Sequence, residues 1–214
     1  MSISVRISSS SPTLDLSLSS PFKITLELTL DATHPITFRK QFAPLYATPF
    51  YKGGFTFTNT RTGESVPRPT INVYYFPCKA NELPTEENRS NWATLFPDTP
   101  YILESTLQPT TTKAPIPGWA GMTVEDMKAI QAQQPLLTKW PRVRGLEDGQ
   151  TYEIGIYEGL ALESWLRGSF DEILEMRKAG EVPELLTEPV PYEVVQRAEF
   201  AVKRPDKDGS LNYW

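Results

Sequence analysis

The chain holds one cysteine, Cys78, and one histidine, His34, among 214 residues. A lone thiol cannot close an internal disulfide, so the fold is expected to rest on its core, in the reducing cytoplasmic setting where free thiols persist. The same scarcity rules out a structural zinc site within one chain, which needs four nitrogen or sulfur ligands. A Ser-His-Asp or Cys-His catalytic set would have to use His34, which stands in "DATHP", a turn between two strand patterns where a polar surface residue is the ordinary occupant. No G-x-S-x-G elbow activates a serine, no EF-hand loop gathers calcium ligands, and no glycine-rich strand-to-helix loop cradles a phosphate. Neither cofactor nor metal is therefore expected.

Other absences narrow the partners. No apolar run approaches the ~20 residues that cross a bilayer, and the first twenty residues lack the apolar centre and cleavage pattern of a secretory signal. The net charge is −5 and no block of Lys and Arg occurs, so neither nucleic acid nor an anionic membrane is an expected partner, because both require clustered cations to displace counterions. The sequon Asn88-Arg89-Ser90 is expected to be idle in such a setting.

What is present is alternation. Phe22, Ile24, Leu26, Leu28 and Leu30 interleave with Lys23, Thr25, Glu27, Thr29 and Asp31, the period of a half-buried strand. Shorter alternations occur at Ile3-Val5-Ile7, Leu14-Leu16-Leu18, Ile36-Phe38, Phe55-Phe57, Ile71-Val73-Tyr75, Leu103-Ser105-Leu107, Tyr152-Ile154-Ile156 and Ala198-Phe200-Val202, about nine strands in all. Proline, at 20 residues, falls mostly between these runs, where its missing N–H does no harm. Many short strands with such turns predict an all-β fold, an antiparallel sandwich rather than an α/β sheet. The strands are assigned to a single domain over 1–204, with an insertion over about 109–145 and a tail over 205–214.

Two stretches carry helix signals. Thr123 caps "TVEDMKAIQAQQP" inside the insertion, and Pro135 stops it. In "GSFDEILEMRKAG", Ser169 and Glu172 form a capping box, Phe170, Ile173 and Leu174 share a side, Arg177 and Lys178 occupy the last turn, and Gly180 ends it. Asp171 and Glu175, one turn apart, read as a solvent-facing acidic first turn rather than a calcium site.

In "LEDGQTY", Leu146, Gly149 and Tyr152 have the spacing of a corner in which a buried tyrosine hydroxyl ties a turn to upstream backbone. The spacing resembles the L-x-P-G-x-x-Y corner of fibronectin type III and related immunoglobulin-like sandwiches, with Asp148 where proline is common. The order "SSPFKITLELTLDATHPITF", "GFTFTNTRTGESVPRPTINV", "GLEDGQTYEIGIY", "ESWLRGSFDEIL" and "AEFAVK" further resembles a group of fungal β-sandwich proteins of uncharacterised function. That resemblance implies an immunoglobulin-like fold and a fungal origin, and brings no activity with it.

The tryptophans are the candidate site residues. Trp92, Trp119, Trp140, Trp165 and Trp214 all lie outside the clearest strand patterns. They line a binding surface on the loops, or they plug the open ends of the sandwich as core. On the first reading the chain is an intracellular interaction module that binds another protein or itself through aromatic loops. On the alternative reading it is a cofactor-independent enzyme or small-molecule binder with a pocket at one end of the sandwich.

Overall fold

The structure is a computed structural model that describes residues 1–70, 83–113, 121–133 and 136–205. It is mostly β, with packed sheets and few short helices. Trp119, Trp214, Cys78 and the strand expected at Ile71-Val73-Tyr75 lie outside the described residues.

The first strand, β1 (Ser2–Ser9), pairs antiparallel with β3 (Phe22–Asp31), the ten-residue alternation read from the sequence. In β3 the inward residues Ile24, Leu26, Leu28 and Leu30 are fully buried while Lys23 and Asp31 face solvent. Each such side chain contributes roughly 1.5–3 kcal/mol by leaving water. A five-stranded sheet forms when β7 (Tyr101–Leu107) joins the far side of β3, and β14 (Val190–Gln196) and β11 (Ala161–Leu162) extend the other edge. A four-stranded sheet contains β2 (Thr13–Asp15), β15 (Ala198–Lys203), β10 (Thr151–Ile156) and β5 (Phe55–Asn59), in that order. A second four-stranded sheet runs β13 (Leu185–Leu186), β12 (Trp165–Arg167), β4 (Ile36–Arg39), β6 (Trp92–Leu95).

Side chains from all three sheets meet in one core, where Phe200 lies against the rings of Phe22, Phe57 and Tyr152. The expected antiparallel pairing is corrected at two places: β1 runs parallel to β14, and β2 runs parallel to β15. Both strand pairs leave the five-stranded sheet and enter its neighbour together, β1 to β2 through residues 10–12 and β14 to β15 through Arg197. Alternation shows that a strand has a buried face and does not record the direction of its partner.

Helices are short, as the sequence predicts. After α1 (Pro44–Ala47), α2 (Val124–Gln133) lies in the insertion, where β8 (Thr110–Lys113) and β9 (Leu136–Lys139) form a separate two-stranded ladder. The third, α3 (Phe170–Lys178), begins with the capping box: the Ser169 N–H donates to the Glu172 carboxylate at 2.7 Å, and the Glu172 N–H donates to the Ser169 hydroxyl at 3.3 Å. Phe170, Ile173 and Leu174 then pack on Trp92 and Leu166 in a second, smaller core.

The tyrosine corner is present. Tyr152 is buried, the Glu147 N–H donates to its hydroxyl at 2.9 Å, and the hydroxyl donates to the Gly145 carbonyl at 3.5 Å. The Arg204 guanidinium closes the same turn from outside, its Nε donating to the Leu146 carbonyl at 2.9 Å and Nη2 to the Val143 carbonyl at 3.2 Å.

Where β2 meets β15, Asp15 opposes Lys203 and accepts from its ammonium at 2.8 Å, and from the Ser17 N–H at 2.9 Å. Lys203 first and Ser17 second hold the carboxyl down from its ordinary 3.8 to about 2. A carboxyl depressed in the folded state adds stability above its unfolded pKa and loses it as the pH falls through the folded one. Asp15→Asn is therefore expected to flatten the loss of stability between about pH 4 and pH 2. The difference will be small because the Lys203 side chain is exposed. Urea titrations of both chains at intervals across that window will measure it, and parallel curves would remove the pair from the account.

Candidate functional site

A concavity forms where three separated segments meet at one end of the β12–β4 pair. The first is the turn "DATHP" leading into β4. Its Pro35 carbonyl accepts the Gly168 N–H at 2.8 Å, which fixes the point at which β12 stops. Gly168 has φ +103, a left-handed backbone that an L side chain adopts only with strain, and there the chain turns directly into α3. The third segment returns from the end of α3, where the Glu181 N–H bonds the Met176 carbonyl, and runs through Pro183 into β13.

Between these segments lies a half-open cleft of about 610 Å³. Pro35, Met176, Pro183 and Leu186 give it an apolar lining, and His34, Arg167, Glu172 and Glu184 supply the polar groups. The His34 ring stacks at 6.4 Å on Trp165, its Nδ1 lies 3.2 Å from the Thr33 hydroxyl, and its shielded Nε2 has no hydrogen-bond partner. Glu172 is occupied by the helix cap, and the Ser169 backbone N–H, followed by the Ser169 hydroxyl, holds its carboxyl below the usual range. Arg167 and Glu184 form no ion pair among the described residues and are exposed. The cleft thus offers one free cation, one free anion and an imidazole around an apolar floor.

The segment that returns into β13 exposes apolar side chains beside the lining residues Pro183 and Glu184 in sequence. Val182 is 81% exposed, and Leu185 and Met176 are also exposed.

Among the described residues, the predicted tryptophans Trp92, Trp140 and Trp165 do not line the cleft. Trp140 and Trp165 belong to the main core and Trp92 to the smaller one, and all three are buried. Their indole N–H groups point into the protein: Trp140 donates to the Leu16 carbonyl at 3.1 Å, Trp165 to the Glu188 carbonyl at 2.9 Å and Trp92 to the Asn88 side chain at 3.1 Å. Trp92 and Trp165 open strands β6 and β12 rather than lying in loops. Of these three, Trp165 alone touches the cleft's lining, as the surface behind His34. Asp171 is paired with Arg89 at 2.7 Å and Glu175 with Lys178 at 2.6 Å. Asn88, of the sequon, is buried, and its side chain accepts from the Thr85 N–H and donates to the Leu83 carbonyl.

Of the cleft residues, the sequence reading singled out His34 and Glu172, each for a local role. Arg167, Met176, Pro183, Glu184 and Leu186 join them only through tertiary structure, since 34, 167 and 184 are brought together by strand pairing. The chain matches no family model, no curated protein and no solved structure among those compared.

Proposed function

We propose that the chain is an immunoglobulin-like β-sandwich that works inside the cell as a binding module, and that the cleft beneath α3 receives an apolar side chain from an exposed segment of a protein partner. The corner built on Tyr152 and the packed sheets support the immunoglobulin-like assignment, and the single cysteine supports the address. The observation that carries the functional reading is the exposed apolar set of Met176, which lines the cleft, with Val182 and Leu185, which adjoin its lining residues in sequence, beside Arg167 and Glu184, which can orient a peptide backbone or side chain.

The test uses a random peptide library displayed on phage and selected on the full chain, with enriched peptides measured by fluorescence anisotropy. Val182→Glu and Met176→Glu change exposed side chains, so each variant should fold normally. Each is expected to weaken the selected peptides about tenfold or more, corresponding to about 1.4 kcal/mol. Peptides that bind both variants as tightly as the parent would move the interface away from the cleft.

A small-molecule reading has its own support in the size of the cleft and in its mixture of apolar walls with the polar residues His34, Arg167 and Glu184. The two readings separate on one variant. A ligand confined to the cleft tolerates Val182→Glu, whereas a peptide lying across Val182 does not.

A further inference from the structure

A second site lies beyond the outer edge of β5, where residues 64–66 bond to that strand, and it involves none of the cleft residues. There Arg68 draws two other segments together: its Nη2 donates to the Phe50 carbonyl at 2.8 Å and its Nη1 to the Arg142 carbonyl at 3.1 Å. The guanidinium lies 4.7 Å from the centre of the buried Phe57 ring, and its Nε is shielded with no partner. Beside it, the Arg142 guanidinium stands 5.3 Å from the Tyr51 ring and 5.7 Å from the Phe50 ring. The Arg142 backbone adopts φ +71, one of two non-glycine residues held in the left-handed region among those described. Such strain persists only where surrounding contacts enforce it, and it gathers at ligand sites.

The charges are what make this place unusual. Arg68 bonds the Arg142 backbone, both residues reach Phe50, and the charge of one acts on the other, in a chain of net charge −5 where neither has a carboxylate partner among the described residues. Burial first, and the neighbouring Arg142 second, lower the Arg68 guanidinium to about 10, which leaves it charged at neutral pH. Partly buried like charges repel, and an anion placed between them removes that repulsion. Arginine supplies a planar fork of N–H donors matched to tetrahedral oxyanions, and the stacking of Arg142 on aromatic rings orients its fork in advance.

We propose that Arg68 and Arg142, braced by Phe50 and Tyr51, form a binding site for a phosphoryl dianion. Two positive charges favour the dianion over a carboxylate, which would leave one of them uncompensated. The same chemistry is carried by a free phosphorylated metabolite and by a phosphorylated side chain, and the probes below separate the two.

Inorganic phosphate, phenyl phosphate, a phosphoserine peptide and acetate are titrated into the full chain at constant ionic strength, with the arginine Nε–H resonances followed by NMR. The Arg142 resonance is expected to shift saturably with phosphate, and acetate to bind about tenfold more weakly at the least. Tighter binding of phenyl phosphate than of the peptide would assign the site to small molecules, and the reverse order to phosphorylated protein. Arg142→Gln is expected to lose phosphate binding by about tenfold or more, and Arg142→Lys to keep only part of it, because an ammonium lacks the fork. Arg144→Gln changes a neighbouring exposed charge and is expected to leave binding within about twofold. A linear shift that never saturates, equal binding of acetate and phosphate, or equal losses in the Arg142 and Arg144 variants would each overturn the site. The acetate comparison uses the unaltered chain, so it decides the matter even if a variant folds poorly.

Discussion

Trp140→Ala will lose about 3–5 kcal/mol of folding stability, the cost of emptying a large aromatic site in a close-packed interior. Trp140 is 1% exposed and sits in the main core where the insertion returns to the sheets, with Val143 and Leu146 buried just beyond it. Its indole N–H bonds the Leu16 carbonyl at 3.1 Å, a contact between residues 124 positions apart. Trp140→Phe keeps most of the apolar area and leaves that carbonyl without its donor. Its expected cost is smaller, about 1–3 kcal/mol. Urea denaturation followed by circular dichroism, with the slope of the transition checked for constancy, will measure both. An alanine variant within about 1 kcal/mol of the parent would mean that the insertion's return adds little to the core. A tryptophan that served a ligand would give the opposite pattern, with binding lost and stability kept.

The tryptophans also show where the sequence is a good guide and where it is not. Strands β1, β3 and β10 present one face to the core and one to solvent, so their alternation was legible, and so were the capping box of Ser169 and the Tyr152 corner. The β13-β12-β4-β6 sheet is different because it is covered on both sides, by the main core on one and by α3 on the other. In β4 all four residues are buried, and in β12 the adjacent Trp165 and Leu166 are buried in different cores. Period two vanishes when both faces are apolar, so Trp92 and Trp165 read as loop residues although they open strands. Strand β14 was hidden for another reason: Pro191 interrupts its pattern, while Val190 and Tyr192 on either side of it are buried. The cleft was illegible in a stricter sense. Its parts are ordinary in sequence, a turn histidine, a capping glutamate and a proline, and only the pairing of β12 with β4 and β13 makes them neighbours. The Arg68 and Arg142 pair is likewise a product of long-range contact, since nothing local in "VPRP" or "WPRV" sets one guanidinium beside the other.

Gly54→Ala will cost about 3 kcal/mol or more, and the adjacent Gly53→Ala roughly 1–2 kcal/mol, although the two glycines share one turn. A methyl group on Gly54 would fall 2.3 Å from the Pro49 carbonyl oxygen, 2.7 Å from its carbon and 2.8 Å from the Thr48 carbonyl oxygen. All three are backbone atoms, so no side chain can swing aside to relieve the contact. The Pro49 carbonyl is also committed, since it accepts the Phe55 N–H at 2.6 Å and so sets the start of β5. Gly53 has φ +90 with open space around it, so alanine there pays only for the left-handed backbone. Thermal and urea unfolding of the two variants will give the ratio, and equal losses would mean that the turn yields at little cost. The comparison reaches the proposed anion site as well, because this turn carries the Phe50 carbonyl that holds Arg68 and the rings that support Arg142. Displacing residues 48–54 must move those supports, so Gly54→Ala should weaken phosphate binding even at temperatures where the chain stays folded. Gly53→Ala leaves the contacts of Phe50 in place and should retain that binding. A Gly54→Ala chain that remains folded and binds phosphate normally would show that the turn does not organise the arginine pair.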